Sequence, residues 1–338
     1  MKKFLLVFFL FLVSYTIKNV SASINIDAAS AILMEKDTKR ILYEKNIHSR
    51  YLTASIAKIM TAIVAIENGE LENYYKVDGD TIKQIGSSIY LGLDQEVKLI
   101  DLIYGLMLRS GNDAAYLIAV SVSDSLDEFV DLMNETAKKI GMKSSSFSNP
   151  SGLDEQNANY STAYDMALLM AYALNNETFK KVTGSRNYTS KTKSGDLLYF
   201  VNKHRLIQSK DFVTGGKTGY TERAKRTLVT SAYKDNMELI VVTFNCGNDW
   251  NSHLALFDYG YQNYEMKVFA RREIIKVNDT FYPTPYLIND LKYPIKADDE
   301  VKYVIKLLKK PRQEQIIGRA DIYLDGKLVH SVDIYRYY

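Results

Sequence analysis

The sequence predicts an α+β fold followed by a small all-β region. Strand-like runs lie near both ends of residues 23–265, helical runs lie between them, and short alternating strands fill residues 266–338. A sheet whose first strands are N-terminal and whose last strands come from residues 212–246 would enclose a helical insertion. The length of 338 residues fits roughly two domains, and 46% hydrophobic with 25% charged residues is typical of a globular protein.

Residues 1–22 are predicted to be a secretory signal peptide and not part of the fold. Lys2 and Lys3 precede an apolar run over residues 4–13, and Val20-Ser21-Ala22 supplies small residues for cleavage. The alternative, an uncut anchor, is disfavoured because the run is shorter than the about 20 apolar residues of a membrane span. Cleavage would leave 40 basic and 40 acidic residues, so the formal charge of +3 gives no support for nucleic-acid binding. We therefore expect an exported protein that does not bind nucleic acid.

Cysteine and histidine usage argues against disulfide and metal chemistry. Cys246 is the only cysteine, which excludes a disulfide within one chain. The histidines are scattered, without the short spacing that holds a zinc ion. They are His48, His204, His253 and His330. We therefore expect no metal ion and no other cofactor.

The first elements are predicted to be a hairpin and a helix. Apolar residues at 31–34 and 41–43 flank a polar turn, a pattern typical of a β-hairpin. An apolar helical run then follows Ser55 and ends at Asn68-Gly69, where the glycine can terminate it. Residues 77–100 combine short strand-like pieces with turns.

The middle of the chain is predicted to be helical. Apolar residues over 99–110 recur at the spacing of one helix face, and Ser110-Gly111-Asn112 ends that run. Further helices are expected over residues 113–122, 126–140 and 161–174, with a turn at 149–152. A helical block therefore separates the two sets of strands.

Strands return from residue 212 onward. We expect a glycine-rich strand at 213–220, a hairpin at 227–233 and 239–245, and a helix at 250–264. The tail strands are expected at residues 268–277, 301–308, 320–324 and 328–334. Asp325-Gly326 joins the last two and is a strong hairpin signal. These short strands predict a small all-β domain.

The candidate chemistry is organised around Ser55-Ile56-Ala57-Lys58. On a helix the serine and the lysine share a face, and a lysine with a lowered pKa can take the proton that the hydroxyl must lose before it attacks. The helix N-terminus also directs N–H groups toward an oxyanion beside Ser55. The pair alone is a weak signal, because a helix cap and a solvated lysine have the same spacing. Two other pairs share it, Ser190 with Lys193 and Ser231 with Lys234.

Two further motifs supply candidate partners. Lys217-Thr218-Gly219, on a predicted strand, places a cation and a hydroxyl beside a glycine that permits close backbone approach, which suits a substrate carboxylate. Ser110-Gly111-Asn112 lies in a helix-ending turn, where a hydroxyl can relay a proton and an amide can orient a carbonyl. No histidine has a comparable motif context, which disfavours a serine–histidine–aspartate triad.

In this order and spacing, the three motifs resemble those of the penicillin-binding, active-site-serine enzymes. Among them, the chain is most similar to the low-molecular-weight D-alanyl-D-alanine carboxypeptidases. The stretches that carry the similarity are residues 110–115, 149–153, 160–166, 216–221 and, in the tail, 323–327. The resemblance implies a β-lactamase/transpeptidase-like catalytic domain over residues 23–265, an antiparallel sheet with a helical insertion. It also implies a C-terminal β-sandwich domain over residues 266–338.

The same resemblance implies a role for each motif residue. The catalytic residues would be Ser55, Lys58, Ser110 and Asn112, as nucleophile, general base, proton relay and ligand of the peptide carbonyl. The substrate-binding residues would be Lys217, Thr218, Gly219 and Tyr220. The first two would hold a terminal carboxylate, and the backbone N–H groups of Ser55 and Tyr220 would form the oxyanion hole.

The activity implied is that of a D-Ala-D-Ala carboxypeptidase in the cell envelope, outside the cytoplasmic membrane. It would remove the terminal D-alanine from peptidoglycan stem pentapeptides and would be acylated and inhibited by β-lactams. The alternatives are a D,D-endopeptidase of peptidoglycan cross-links and a non-catalytic penicillin-binding sensor or wall-binding protein. A class A β-lactamase is disfavoured, because neither Glu155 nor Glu177 has the motif context of a water-activating glutamate.

Two features depart from the family pattern. Lys225 stands where a small residue or glycine is expected. The chain also ends at Tyr338 directly after a predicted strand, without the amphipathic anchor helix of many relatives. Residues 266–338 carry 14 basic and 10 acidic residues, so this region is expected to contact an anionic wall or membrane surface. An ordinary solvated basic face is the alternative.

Overall fold

The computed structural model describes residues 24–155, 157–275, 284–308 and 315–336. The predicted signal peptide lies outside the described residues, and so do the last two positions of the strand predicted at 268–277.

Helices fill the middle of the chain, as predicted, and one follows the last strands of the first region. Their bounds are α1 Lys58–Asn68, α2 Leu99–Tyr104, α3 Asn112–Val122, α4 Leu126–Ile140, α5 Ala163–Ala173, α6 Glu177–Gly184, α7 Arg205–Ser209 and α8 Asp249–Asn263. A 3₁₀ turn, Ala54–Ala57, precedes α1, and a π-helical turn, Gly105–Arg109, continues α2. Among the described residues, no helix is both long enough and apolar enough to cross a lipid bilayer.

Strands lie on both sides of the helical block and throughout the tail. In the first region they are β1 Ser30–Glu35, β2 Ile41–Lys45, β3 Tyr51–Leu52, β4 Tyr74–Lys76, β5 Glu96–Lys98, β6 Tyr160–Ser161, β7 Asn187–Lys191, β8 Leu197–Val201, β9 Val213–Thr221, β10 Lys225–Lys234 and β11 Met237–Phe244. In the tail they are β12 Glu265–Ala270, β13 Pro285–Leu287, β14 Leu291–Ile295, β15 Val301–Leu307, β16 Ile316–Leu324 and β17 Lys327–Arg336.

A five-stranded antiparallel sheet is the centre of the first region. Its strand order is β2-β1-β11-β10-β9, so the N-terminal hairpin lies beside the three strands that follow the helical block. The register of β1 on β11 runs from Ser30 opposite Phe244 to Glu35 opposite Leu239. The predicted sheet that encloses a helical insertion is therefore confirmed.

Alternate residues of the central strands enter two different cores. Ile32 and Met34 of β1 belong to a large core shared with α1, α3 and α5. Ala31 and Leu33 point the other way, into a core that contains Phe257 of α8. All residues of β11 are buried, so both faces of the sheet are covered. Because the 3₁₀ turn Ala54–Ala57 packs directly on β9 and β10, the start of α1 is fixed relative to β9.

The tail strands form a separate β region. β13-β17-β16-β15 make a four-stranded antiparallel sheet, and β12 pairs with β14. Both pack around a small core that includes Leu291 of β14 and Ile334 of β17. The hairpin predicted at Asp325-Gly326 joins β16 to β17. Arg40, between β1 and β2, bonds Asp299 at 2.8 and 3.3 Å and ties this region to the first.

Some elements differ from the sequence predictions. The strand expected over residues 268–277 ends at Ala270, because the chain bends where the N–H of Arg272 donates to Asp290 Oδ1 at 2.7 Å. Hairpin β7–β8 and the short helices α6 and α7 have no counterpart among the predicted elements. β7 is Asn-Tyr-Thr-Ser-Lys in sequence and gives a weak apolar signal. β8 is Leu-Leu-Tyr-Phe-Val, an apolar run typical of a strand that the sequence prediction omitted.

Candidate active site

Ser55 lies in the 3₁₀ turn that leads into α1. Ala54, just before it, has a φ of 47°, in the left-handed region. A Cβ on Gly152 would lie 2.0 Å from Ala54 O, so only glycine lets the neighbouring loop pack against this turn. The turn has no side-chain cap and is held by its neighbours. Backbone strain beside Ser55 persists only where the surroundings impose it.

The side chain of Lys58 is completely buried and is held at three points. Its Nζ lies 3.2 Å from Ser55 Oγ, donates to Asn112 Oδ1 at 2.8 Å and donates to the carbonyl of Ser151. A neutral amine has two N–H donors and one lone pair. The two acceptors therefore leave the lone pair free to accept the proton of the Ser55 hydroxyl.

The electrostatic surroundings favour that neutral amine. Burial lowers the pKa of Lys58 well below its ordinary value, and the positive charges of Lys217 and Lys203 lower it further. The carboxylate of Asp113 acts in the opposite direction and does not reverse the shift. A lysine in this environment can act as a general base near neutral pH.

Ser110 and Lys217 form a second pair in the same cleft. Lys217 Nζ donates to Ser110 Oγ at 3.0 Å and to Thr218 O at 2.9 Å. Burial, followed by the charge of Lys203, lowers the pKa of Lys217 to about 7. Ser110 has a φ of 66° and ends the π turn after α2, which presents its hydroxyl to the strand. This pair can pass a proton at neutral pH.

Asn112 opens α3 and connects Lys58 to a rim loop. Its Oδ1 accepts from Lys58, while its Nδ2 donates to Ile85 O at 2.6 Å. An amide nitrogen carries two hydrogens, so one remains available to a substrate carbonyl. Asn112 therefore can orient both the base and a substrate.

β9 forms the wall opposite α3. It is an edge strand among the described elements, paired with β10 on one side, and its other side lies against the Ser55 turn. A Cβ on Gly219 would lie 3.0 Å from Ser55 N, which shows how closely the strand approaches Ser55. Thr218 is half-buried and Tyr220 is 62% exposed. An extended peptide can pair with this edge while its carbonyl lies at Ser55.

The sequence-predicted site residues thus meet in one cleft. Lys58 contacts Ser55 and Asn112, and Lys217 contacts Ser110. The charge of Lys217 acts on Lys58, and Thr218, Gly219 and Tyr220 continue along the strand from Lys217. The two other serine–lysine pairs with the same spacing lie elsewhere in the fold. Ser190 is on β7 and Ser231 is on β10. Their hydroxyls bond Asp101 and Thr214 and contact no lysine.

Several further residues shape the site without belonging to a motif. Lys203 Nζ lies 3.3 Å from Ser87 Oγ, and its charge acts on both buried lysines. The buried carboxylate of Asp113 accepts from Ile89 N–H at 3.0 Å and Leu91 N–H at 3.2 Å, which anchors the rim loop. Only the three-dimensional fold brings these residues to the cleft, so no local pattern identifies them.

Lys225, the departure from the family pattern, follows β9 at the start of β10. Its φ is 58°, in the left-handed region that favours glycine. Its side chain is exposed. The residue therefore carries backbone strain at an exposed turn.

Comparisons with known proteins add independent information about this cleft. The family model described as D-alanyl-D-alanine carboxypeptidase matches residues 16–248. D-alanyl-D-alanine carboxypeptidase DacF of Bacillus subtilis (strain 168) is 36% identical over 330 residues, which cover 90% of this chain and 83% of the relative. DacA of Haemophilus influenzae is 30% identical over 342 residues, 91% of this chain and 84% of the relative.

Solved structures agree with the sequence relatives. A D-alanyl-D-alanine carboxypeptidase from Mycobacterium tuberculosis H37Rv superposes with a TM-score of 0.68 at 26% identity, over 71% of this chain and 92% of that chain. The carboxypeptidase DacD from Francisella tularensis gives a TM-score of 0.72 over 94% of both chains. At 24% identity, the match to the Francisella tularensis structure shows the fold alone, and the superposed part of this chain includes tail strands. The predicted fold class is confirmed.

Proposed function

The chain belongs to the family of D-alanyl-D-alanine carboxypeptidases, and we propose that it removes the terminal D-alanine from peptidoglycan stem pentapeptides through an acyl-enzyme on Ser55. The enzyme is a serine peptidase. The observation that carries the proposal is the buried amine of Lys58, which lies 3.2 Å from Ser55 Oγ and has a lowered pKa.

In the first step, Lys58 takes the proton of the Ser55 hydroxyl while Oγ attacks the carbonyl carbon of the penultimate D-alanine. The carbonyl oxygen becomes an oxyanion, and the N–H groups of Ser55 and Tyr220 donate to it. The close approach of Gly219 to Ser55 N supports this arrangement, because the N–H groups of the two backbone segments can then donate to the same oxygen. The Oγ–C bond formed here is the ester of the acyl-enzyme.

The intermediate then collapses and the C–N bond to the terminal D-alanine breaks. The leaving nitrogen needs a proton, and Ser110 is in position to supply its own while taking another from Lys217 Nζ at 3.0 Å. A lysine with a pKa of about 7 can give and recover a proton at neutral pH. After the D-alanine leaves, Lys58 releases the proton it took from Ser55 and Lys217 recovers one, so both amines return to their starting states. Water then attacks the ester while Lys58 takes its proton. Lys58 passes that proton to Ser55 Oγ as the C–Oγ bond breaks and the shortened peptide leaves.

Recognition of the terminal carboxylate falls to Lys217 and Thr218. Together they place an ammonium group and a hydroxyl near the edge of β9. A bound carboxylate would raise the pKa of Lys217 and keep it charged until the C–N bond breaks, when the amine gives its proton to Ser110. The second hydrogen of Asn112 Nδ2 would hold the carbonyl of the acyl side.

β-Lactams would acylate the same serine. A β-lactam also presents a strained amide beside a carboxylate, so it can occupy the places of the peptide carbonyl and the terminal carboxylate. Its ring-opened leaving group remains covalently attached, which would keep water from the ester and make the drug an inhibitor.

We also propose where the enzyme acts in the cell and where its domains begin and end. We place a signal peptide at residues 1–22, the catalytic domain at 23–265 and the β domain at 266–338. The enzyme would then be exported and act in the cell envelope. The excess of basic residues in the tail supports peripheral contact with an anionic wall or membrane surface.

The proposal is tested with the purified protein lacking residues 1–22 and three substrates: a stem pentapeptide, its C-terminal amide and a cross-linked dimer. A stem pentapeptide ending in D-Ala-D-Ala should lose one residue, while its C-terminal amide should be a poor substrate because it lacks the carboxylate. The products are identified by mass spectrometry, with a Ser55→Ala variant as the control.

Other outcomes would favour the alternatives. Cleavage of cross-linked dimers in preference to the pentapeptide would identify an endopeptidase. Acylation by labelled penicillin without any release of D-alanine would identify a non-catalytic penicillin-binding sensor.

A further inference from the structure

A cavity of about 280 Å³ lies beside the catalytic cleft and has no part in the mechanism above. Two of its lining residues also contact the catalytic groups. The carbonyl of Ser151 accepts from Lys58 Nζ, and the carbonyl of Ile85 accepts from Asn112 Nδ2 at 2.6 Å. The cavity therefore shares a wall with the place where the substrate carbonyl is attacked.

The direction of β9 shows which part of the substrate reaches this cavity. The terminal carboxylate is assigned to Lys217 and Thr218, and the reacting carbonyl lies where Gly219 approaches Ser55 N. Thr221, further along the strand, donates to Asp154 Oδ2 at 2.6 Å. A peptide that follows the strand edge advances about 3.3 Å per residue. The residue before the scissile pair therefore lies near Thr221 and the loop that contains Asp154.

That loop is fixed in place by its own hydrogen bonds. Asn149 Oδ1 accepts from Gly152 N–H at 2.7 Å, and Asn149 Nδ2 donates to Leu153 O at 2.9 Å and Asn157 O at 2.6 Å. The bond from Thr221 attaches the loop to the strand. The cavity wall is therefore formed before substrate arrives.

The lining of the cavity combines aliphatic side chains with one carboxylate. Ile85, Leu126 and Leu153 supply the aliphatic surface. Glu155 carries the one formal charge among the described lining residues, and it makes no ion pair within the described part of the chain. A long aliphatic chain that ends in a cation matches this combination, because its stem packs on the apolar wall while its head meets the carboxylate.

We propose that this cavity is a subsite for the cationic side chain of a diamino residue, the residue that precedes the scissile D-Ala-D-Ala pair. The inference rests on the proposed function, since it concerns the acyl side of the same peptide. Glu155 would be the specificity-determining residue, and it has no part in the proton transfers.

The test compares two pentapeptides, L-Ala-γ-D-Glu-L-Lys-D-Ala-D-Ala and its Nε-acetyl-lysine form. Acetylation removes the positive charge and keeps the aliphatic stem. We expect kcat/KM for the free amine to exceed that for the acetylated peptide by about fivefold, the upper end for one solvent-accessible ion pair. Glu155→Gln should bring the ratio to within about twofold of one by lowering only the value for the free amine.

A matched control is Glu70→Gln. Glu70 is exposed and lies beyond the C-terminal end of α1, the end away from Ser55. This variant should keep the fivefold preference. Glu155→Gln should also be acylated by labelled benzylpenicillin at the wild-type rate, because that drug carries no cationic side chain.

The peptides are compared a second time as competitors of labelled penicillin, which requires binding and no turnover. Release of D-alanine from neither peptide would reject the carboxypeptidase assignment, while competition would still decide the subsite. Equal values for the two peptides with the wild-type protein, in turnover or in competition, would overturn the subsite. A preference that survives Glu155→Gln would overturn it as well.

Discussion

Replacing Gly219 by alanine tests the close approach of β9 to Ser55. A Cβ at this position would lie 2.4 Å from Thr227 Oγ1, 3.0 Å from Ser55 N and 3.1 Å from Ile56 N. An oxygen that accepts a hydrogen bond from an N–H lies at about 2.7–3.2 Å from the nitrogen. The added methyl group would therefore occupy the space in which an oxyanion meets the N–H of Ser55.

The expected loss follows from these distances. Loss of one oxyanion-hole donor costs about 10²–10³ in rate, so we expect acylation of Gly219→Ala to slow by at least 10²-fold. Thr227 is buried and its hydroxyl donates to Thr53 O at 3.0 Å, so it cannot move away without losing that bond. The overpacking should lower the free energy of unfolding by about 1–3 kcal/mol.

The assay measures the acylation rate with labelled penicillin, together with a thermal melt that establishes how much of the variant is folded. Gly79→Ala is the control, because a Cβ there meets nothing within 4 Å. The control should acylate at the wild-type rate. A folded Gly219→Ala protein that acylates within about threefold of wild type would show that the N–H of Ser55 does not serve the oxyanion.

Three further predictions concern Lys58, Lys217 and Lys225. Lys58→Arg keeps a cation but supplies no neutral base, so labelled-penicillin acylation should fall by about 10² or more, and a near-normal rate would assign the base elsewhere. Lys217 has a pKa of about 7 and must be charged to bind a carboxylate, so kcat/KM for the pentapeptide should decline as pH rises above 7. Lys217→Arg stays charged at these pH values and should lack that decline whatever its overall rate, and a decline that persists in this folded variant would contradict the assignment. Lys225 has a φ of 58°, so Lys225→Gly should raise the free energy of unfolding by about 0.5–1 kcal/mol in a denaturant titration. A free energy equal to or lower than that of the wild-type protein would show that the turn is unstrained.

Much of the fold follows from local patterns in the sequence. The helix predicted over 126–140 matches α4, and the glycine-rich strand predicted at 213–220 matches β9 to within one residue. In both cases a clear period or a clear stop signal is present, such as Gly141 with its φ of 89° after α4. The order of strands and helices then predicts the enclosed helical insertion.

Other elements lack such signals. The end of the helix predicted over 99–110 is a π turn, which depends on how Ser110 is placed against Lys217 and not on apolar spacing. Helix α6 has only 8 residues, too few to establish a period. The strand predicted at 268–277 is cut short by a contact with Asp290, which is distant in sequence.

The same distinction applies to the site. The motif residues are identified by their order along the chain, and the structure brings Lys58 into contact with Ser55 and Asn112 and Lys217 into contact with Ser110. The carbonyl of Ser151 and the charge of Lys203 cannot be assigned from sequence, because each acts across a tertiary contact on Lys58. Backbone acceptors and long-range charges leave no residue pattern, although they decide whether the lysine is neutral.

The most direct test of the account is to locate the covalent adduct. The protein is incubated with benzylpenicillin, digested, and mapped by mass spectrometry, in parallel with the Ser55→Ala variant and a thermal melt that verifies folding. The account predicts one penicilloyl group on Ser55 in the wild-type protein and none in the folded variant. An adduct that persists in the variant, or that maps to Ser190 or Ser231, would contradict the assignment of Ser55 as the nucleophile.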